Sequence, residues 1–148
     1  MPASHTALYS HVIFSTKNRA NHITPDLRDR LYQYIGGIIR QADGDLIAAG
    51  GAADHVHLLI RLHPRIALAD LLRLVKANSS KWIHETFAAM GDFGWQDGYA
   101  AFSVSQSNVA DVQRYIAQQE EHHRQVSFRE ELVAFFQRHG ITYDERYI

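Results

Sequence analysis

The chain has no cysteine among its 148 residues, which excludes disulfides, thiol nucleophiles and thiolate zinc sites. Any metal it binds must be held by His, Asp, Glu or amide oxygen, and such ligands suit magnesium or manganese as much as zinc. It has neither an apolar stretch long enough to span a bilayer nor a signal-peptide opening, so a cytoplasmic protein without a membrane partner is expected. It also lacks a basic excess: Lys and Arg number 15 against 16 Asp and Glu, for a formal net charge of −1. A nucleic-acid partner would need a local basic surface. Repeats, low-complexity segments and linkers are absent. What is there, 46% hydrophobic and 21% charged residues, fits one globular domain over 1–148 that buries its core without staples.

Leu8 to Ser15 reads as a strand, with Ser10, Val12 and Phe14 on one face and Tyr9, His11 and Ile13 on the other. Thr24-Pro25-Asp26 gives a cap, a first-turn proline and an acid, and Leu27, Leu31, Tyr34, Ile35 and Ile38 follow at helical spacing to about Ala42, with Gly44 as the stop. Asp45 to Ala49 is a second strand, Gly50-Gly51 a turn, and Asp54 to Leu62 a third strand. Leu68, Leu71, Leu72, Val75, Ser79 and Trp82 mark the buried stripe of a second helix. On its other face Arg73, Lys76 and Ser80, with Lys81 beside them, form a cationic stripe suited to phosphate contact or merely to solvent. Phe93 to Ser105 reads as a fourth strand with a bend at its glycines. The order βαββαβ predicts an α+β, ferredoxin-like (RRM-like) antiparallel sheet over about 5–105, the first and third strands central, both helices on one face and the other face open. Beyond it Asn108 can cap a helix over about 108–125, and Ser127 with Glu130 fits a capping box for a last helix over about 127–140, stopped by Gly140.

The chemistry begins with His55-Val56-His57. Alternation along the third strand points both imidazoles one way while Val56, Leu58 and Ile60 point into the core. Two such rings make half a metal site, although an isolated pair is unexceptional in a sheet. The open face would carry them, with His11 of the neighbouring strand close by, and open sheet faces can take nucleic acid. Tyr115 and Gln119, four residues apart, stack on one helical face. A phenol of pKa about 10 is protonated at neutral pH, so it attacks only an electrophile polarised by a metal, or with the help of a proton acceptor.

These segments carry a resemblance. His55-Val56-His57-Leu58-Leu59, the opening His11 to Lys17, the run Trp95 to Ser105, and Tyr115-Ile116 followed by Gln119 resemble the single-tyrosine transposases of IS200-like insertion sequences, within the wider histidine-hydrophobe-histidine (HUH) endonuclease class. The resemblance implies a prokaryotic, metal-dependent enzyme that cleaves and rejoins single-stranded DNA with hairpin ends, without ATP and as a homodimer. It implies that His55, His57 and Gln119 hold Mg²⁺ or Mn²⁺ and that Tyr115 becomes a 5′-phosphotyrosine. Lys17, Arg19, Arg73, Lys76 and Lys81, with His11, are candidate DNA contacts. Competing readings are a descendant that binds hairpin nucleic acid without cutting, and a replication-relaxase type HUH nuclease.

Overall fold

The computed structural model describes residues 4–148. Four antiparallel strands, β1 (Tyr9–Ser15), β2 (Asp45–Ala52), β3 (His55–Arg61) and β4 (Ala100–Val104), form one sheet in the order β2-β3-β1-β4. The first and third strands are therefore central, with β1 joined to β2 through α1 (Pro25–Gln41) and β3 joined to β4 through α2 (Leu68–Thr86) by crossovers that skip a strand. Helices α1 and α2 lie on one face. Their buried residues, Leu31, Ile35, Leu72 and Val75 among them, pack with Val12, Phe14, Val56, Leu58 and Ile60 in the main core. At the start of α1 Thr24 accepts from Leu27 N–H at 3.4 Å and Pro25 sits at the first position, where its missing donor costs nothing. The helix is left through Asp43, at φ 61, and not through the glycine that follows it.

The face expected to be open is covered. Helices α3 (Val109–Ala117), α4 (Gln119–His122) and α5 (Phe128–Arg138) lie across it. A second apolar cluster fixes α5 there, in which Ile13 and Phe102 of the sheet meet Phe128, Leu132 and Phe135. The Ser127–Glu130 capping box is formed in full.

Four local expectations change. The Gly50-Gly51 pair lies inside β2, where Gly50 pairs with His57 and Gly51 with Val56, and the turn falls at Ala53-Asp54. These glycines answer to packing, because a Cβ on Gly50 would collide with the Ile116 carbonyl oxygen of α3. The regular fourth strand is confined to Ala100–Val104; before it the chain bulges out of the ladder, with Gly98 at φ 80, and an isolated bridge joins Trp95 to Thr16 while Phe93 and Trp95 pack into the main core. The third helix breaks at Gln118 (φ −103, ψ 16), whose N–H reaches Tyr115 O in a tighter turn. Asn108 makes no side-chain cap and ends a 3₁₀ turn whose N–H bond returns to Ser105 O at 2.9 Å.

Because the Ile116 carbonyl is backbone, Gly50→Ala cannot be absorbed by a side-chain rotation. We expect a loss of about 1–3 kcal/mol in denaturant unfolding, the usual cost of overpacking a tight contact, together with displacement of the helix that carries Tyr115.

Candidate metal and nucleophile site

Strand phase places His55 and His57 on the face of β3 opposite the main core, and the C-terminal helices bury both to 0% exposure. Register sets His57 opposite Ile13, and His11, two residues back on β1 and so on the same face, reaches across so that its Nε2 lies 2.8 Å from His57 Nδ1. From α3 Tyr115 packs against both rings, with centroid separations of 5.8 Å to His57 and 6.1 Å to His11. The break at Gln118 turns Gln119 inward, where it is 1% exposed.

A carboxylate that the sequence reading did not single out stands at the centre. Glu131 of α5 is 2% exposed, and its two oxygens face different groups. Oε1 lies 2.9 Å from His57 Nε2, 3.1 Å from His123 Nε2 and 3.8 Å from His55 Nε2. Oε2 accepts from the Tyr115 hydroxyl and, at 3.0 Å, from Gln119 Nε2. His122 Nε2 lies 3.4 Å from the Tyr115 oxygen and 3.3 Å from Glu131 Oε2. A signal for Glu131 was present. Phe128, Glu131, Leu132 and Phe135 follow i, i+3, i+4, i+7, so the glutamate occupies the buried stripe of an amphipathic helix, where an unpaired acid is rarely tolerated.

The hydrogen-bond inventory says what such a centre requires. His55 Nδ1–H donates to Asp54 Oδ1 at 2.8 Å and His123 Nδ1–H donates to the Val126 carbonyl at 2.8 Å, since both partners can only accept. A neutral imidazole has one proton, so each ring then turns a bare Nε2 inward. There it meets another acceptor, Gln119 Oε1, 3.3 Å from His55 Nε2 and 2.9 Å from His123 Nε2. Lone pairs converging on a buried carboxylate need positive charge among them, carried by protons or by a cation. The ligand atoms of His55, His57, His123 and Glu131 all lie within 4.8 Å of one another, a cluster able to hold a metal ion.

The titration behaviour follows from the same packing. Burial, with the charge of its neighbour His57, lowers the His11 pKa to about 3. Burial likewise takes His57 to about 4, the neighbouring Glu131 opposing it. Both rings are thus neutral at physiological pH. Burial opposes ionisation of Glu131, but hydrogen bonds from His123, once its Nε2 takes a proton, and from His57 outweigh it and hold the carboxyl far below its usual range. Burial, then the hydrogen bond and charge of Glu131, push the Tyr115 phenol up, so in this arrangement the phenol keeps its proton.

Of the remaining candidates His11 lies at the site and the basic groups lie outside it. His11 is 3% exposed beneath α5 and turns toward the histidine pair, away from solvent. Lys17 is exposed, and the Arg19 guanidinium lies 5.1 Å from the Phe128 ring centroid. Arg73 and Lys81 are exposed on α2, 3.2 Å from Asp70 and 3.9 Å from Glu85 respectively. Lys76 is half-buried, its ammonium donating to the Gln96 carbonyl at 3.0 Å and to that of Gly98. The α2 stripe therefore sits on the side of the sheet opposite the histidines, and Lys76 is engaged in holding the loop before β4.

The chain belongs to the family described as Transposase IS200 like, which it matches over residues 4–119. It is 26% identical over 114 residues to the ISDra2 transposase TnpA of Deinococcus radiodurans, covering 74% of this chain and 81% of that one. It is 24% identical over 115 residues to the transposase for insertion sequence element IS200 of Salmonella typhimurium, covering 74% of each. A Deinococcus radiodurans R1 crystal structure described as that of a transposase superposes with a TM-score of 0.66 at 26% identity, over 80% of this chain and 95% of that one. The REP-associated tyrosine transposase bound to a REP hairpin shares the fold at 14% identity, with a TM-score of 0.62 over 85% and 76% of the two chains. The family match ends at Gln119, so His122, His123 and Glu131 lie beyond it. Among the described residues no helix is long and apolar enough to cross a membrane.

With both site histidines at 0% exposure, a histidine-modifying reagent such as diethylpyrocarbonate should label them slowly in the intact chain. Phe135→Ala removes a ring from the cluster that seals α5, at a cost of about 3–5 kcal/mol. It should raise the labelling rate of His55 and His57 above that of the intact chain, read by peptide mass spectrometry.

Proposed function

We propose that this chain cleaves and rejoins single-stranded DNA at the hairpin-flanked ends of a mobile element, with Tyr115 as nucleophile and His55, His57 and Gln119 holding Mg²⁺ or Mn²⁺. The observation that carries this reading is the meeting of phenol and histidine pair: Tyr115 lies against His57 and shares Glu131 with it. Membership of the transposase family supports it. When bound, a divalent ion withdraws charge from the scissile phosphodiester and orients it for in-line displacement. The Tyr115 oxygen bonds to phosphorus and the bond from phosphorus to the 3′-oxygen breaks, the proton lost by the phenol being balanced by the one gained by the departing 3′-hydroxyl. The product, a 5′-phosphotyrosine, retains the energy of the broken linkage. Another 3′-hydroxyl can therefore reverse the step and join new ends without ATP.

His55 and His57 bring their rings to the site ready to coordinate: buried, backed by Asp54 and His11, and His57 neutral well below physiological pH. Gln119 offers Oε1 to the same space while its amide nitrogen is spent on Glu131. Lys17, Arg19, Arg73 and Lys81 are the basic groups we assign to the phosphate backbone, with Lys76 shaping the loop beside them. The reading includes a homodimer.

Incubation with Mn²⁺ and single-stranded oligonucleotides drawn from the DNA flanking the gene should give a covalent adduct on a denaturing gel, mapping to Tyr115 and abolished by EDTA. Tyr115→Phe, which removes only the phenolic oxygen, should lose the adduct and keep DNA binding. An adduct that survives in Tyr115→Phe, or cleavage that persists in excess chelator, overturns the assignment of nucleophile or of metal. Without DNA, saturating Mn²⁺ should raise the melting temperature, by about 2.7 kcal/mol of stabilisation at a hundredfold excess over Kd, and His57→Ala should abolish the shift.

A further inference from the structure

Glu131 has no place in a ligand set of His55, His57 and Gln119, yet its Oε1 is 2.9 Å from His57 Nε2. Mg²⁺ and Mn²⁺ prefer octahedral sites, in which bonds of about 2.0–2.2 Å set adjacent ligand atoms about 2.8–3.1 Å apart. Oε1 stands 2.9 Å from His57 Nε2 and 3.1 Å from His123 Nε2, within that range, and 3.8 Å from His55 Nε2, so a shift of one ring would seat one ion. Metal-bound histidines are normally held at their second nitrogen, and all three are: His55 by Asp54, His57 by His11 and His123 by the Val126 carbonyl. The other oxygen of Glu131 serves no imidazole of this set. It accepts from the Tyr115 hydroxyl and the Gln119 amide.

We propose that Glu131 is a shared ligand: Oε1, with His123, joins the ligands His55, His57 and Gln119 named above, while Oε2 holds the Tyr115 phenol. One side chain of α5 thereby fixes the nucleophile at a set distance from the ion, and filling of the metal site is felt at Tyr115. Glu131 acts on the reaction as a metal ligand and as a positioning residue. The helix that supplies it lies beyond the segment matched by the family, residues 4–119, so metal affinity in this chain depends on a part that the family match does not include. The inference rests on the assignment of Tyr115 and the histidine pair made above.

The test is a Mn²⁺ titration by calorimetry of the full chain, without DNA, beside a near-UV tyrosine difference spectrum recorded as Mn²⁺ is added. Glu131→Gln keeps the shape and removes the charge, and we expect the Mn²⁺ Kd to rise at least tenfold, with His123→Ala giving a loss of the same order. The wild-type difference spectrum should contain a component that disappears in Tyr115→Phe. That component should also be missing from Glu131→Gln at Mn²⁺ concentrations that saturate it. A wild-type Kd in Glu131→Gln overturns the proposal, and so does a Tyr115 component that persists in the saturated variant. His57→Ala separates the two readings. If it leaves Mn²⁺ binding intact, the metal site itself is wrongly placed; if it abolishes binding while Glu131→Gln does not weaken it, only the shared carboxylate falls. Should Glu131→Gln not fold, Glu131→Asp carries the same test, a raised Kd and a weakened Tyr115 component being required of it.

Discussion

A buried carboxylate surrounded by imidazoles is the constraint on which the C-terminal half of this fold depends. An anion taken out of water must be matched on each oxygen, and removing one partner of such a buried pair costs about 3–5 kcal/mol because the charge left behind is uncompensated. Glu131 is matched by His57 from β3, Tyr115 from α3, Gln119 from α4 and His123 from the turn that follows. The apolar contacts of Phe128, Leu132 and Phe135 hold α5 on the sheet, but such contacts are non-directional and tolerate sliding. The hydrogen bonds to Glu131 are directional, so they set where along the sheet the helix stops. Docking strength and docking register thus come from different residues of the same helix.

The sheet serves two purposes through one alternation. Along β3, Val56, Leu58 and Ile60 join the core beneath α1 and α2, and the residues between them, His55 and His57, enter the site. A slip of one residue would exchange these sets and bury the imidazoles among aliphatic side chains, so the core that stabilises the fold also fixes the direction of the two imidazoles. The close crossing of α3 over β2 belongs to the same arrangement. Gly50 pairs with His57 on one side and meets the Ile116 carbonyl on the other, and Ile116 directly follows Tyr115. The missing side chain at residue 50 lets Tyr115 approach the histidine strand.

What was legible in the sequence was what depends on period alone. The strand phase of His55 and His57, the helical stripe of Leu71, Leu72 and Val75, and the central places of β1 and β3 follow from spacing and connection length, and the structure has all of them. What was not legible depends on a partner distant in sequence. Gly50-Gly51 looks like a turn because local rules read paired glycines as flexibility, whereas Gly50 accommodates a carbonyl from residue 116. Glu130 and Glu131 look like two first-turn acids of equal standing. One completes the capping box and the other is buried, and only the helical phase of Glu131 with Phe128, Leu132 and Phe135 tells them apart. His123 is hidden for the opposite reason: in a polar stretch of glutamates and histidines nothing local marks the ring that turns inward. The fourth strand is interrupted because the chain bulges out before Ala100, and only an isolated bridge of Trp95 to Thr16 continues the pairing while Phe93 and Trp95 pack into the main core.

The basic groups resolve into two sets once the faces of the sheet are separated. Ser15 pairs with His55 at one end of the central strands, and Lys17 and Arg19 follow directly from that end, with the Arg19 guanidinium over Phe128 at the start of α5. Arg73 and Lys81 lie on the far side of the sheet, across the main core. A single phosphate cannot span both. In the proposed reading, charge near the scissile phosphate comes from Lys17 and Arg19, whereas the α2 stripe meets DNA further from the cut. The loop Trp95 to Tyr99 joins the two sides, for it lines both a groove of about 430 Å³ beside Arg73 and a pocket of about 200 Å³ walled by Phe128 and Leu132. Lys76 holds that loop through the carbonyls of Gln96 and Gly98. The lysine of the stripe that sequence spacing grouped with phosphate contacts is thereby spent on the wall between them, which orders the surface on either side.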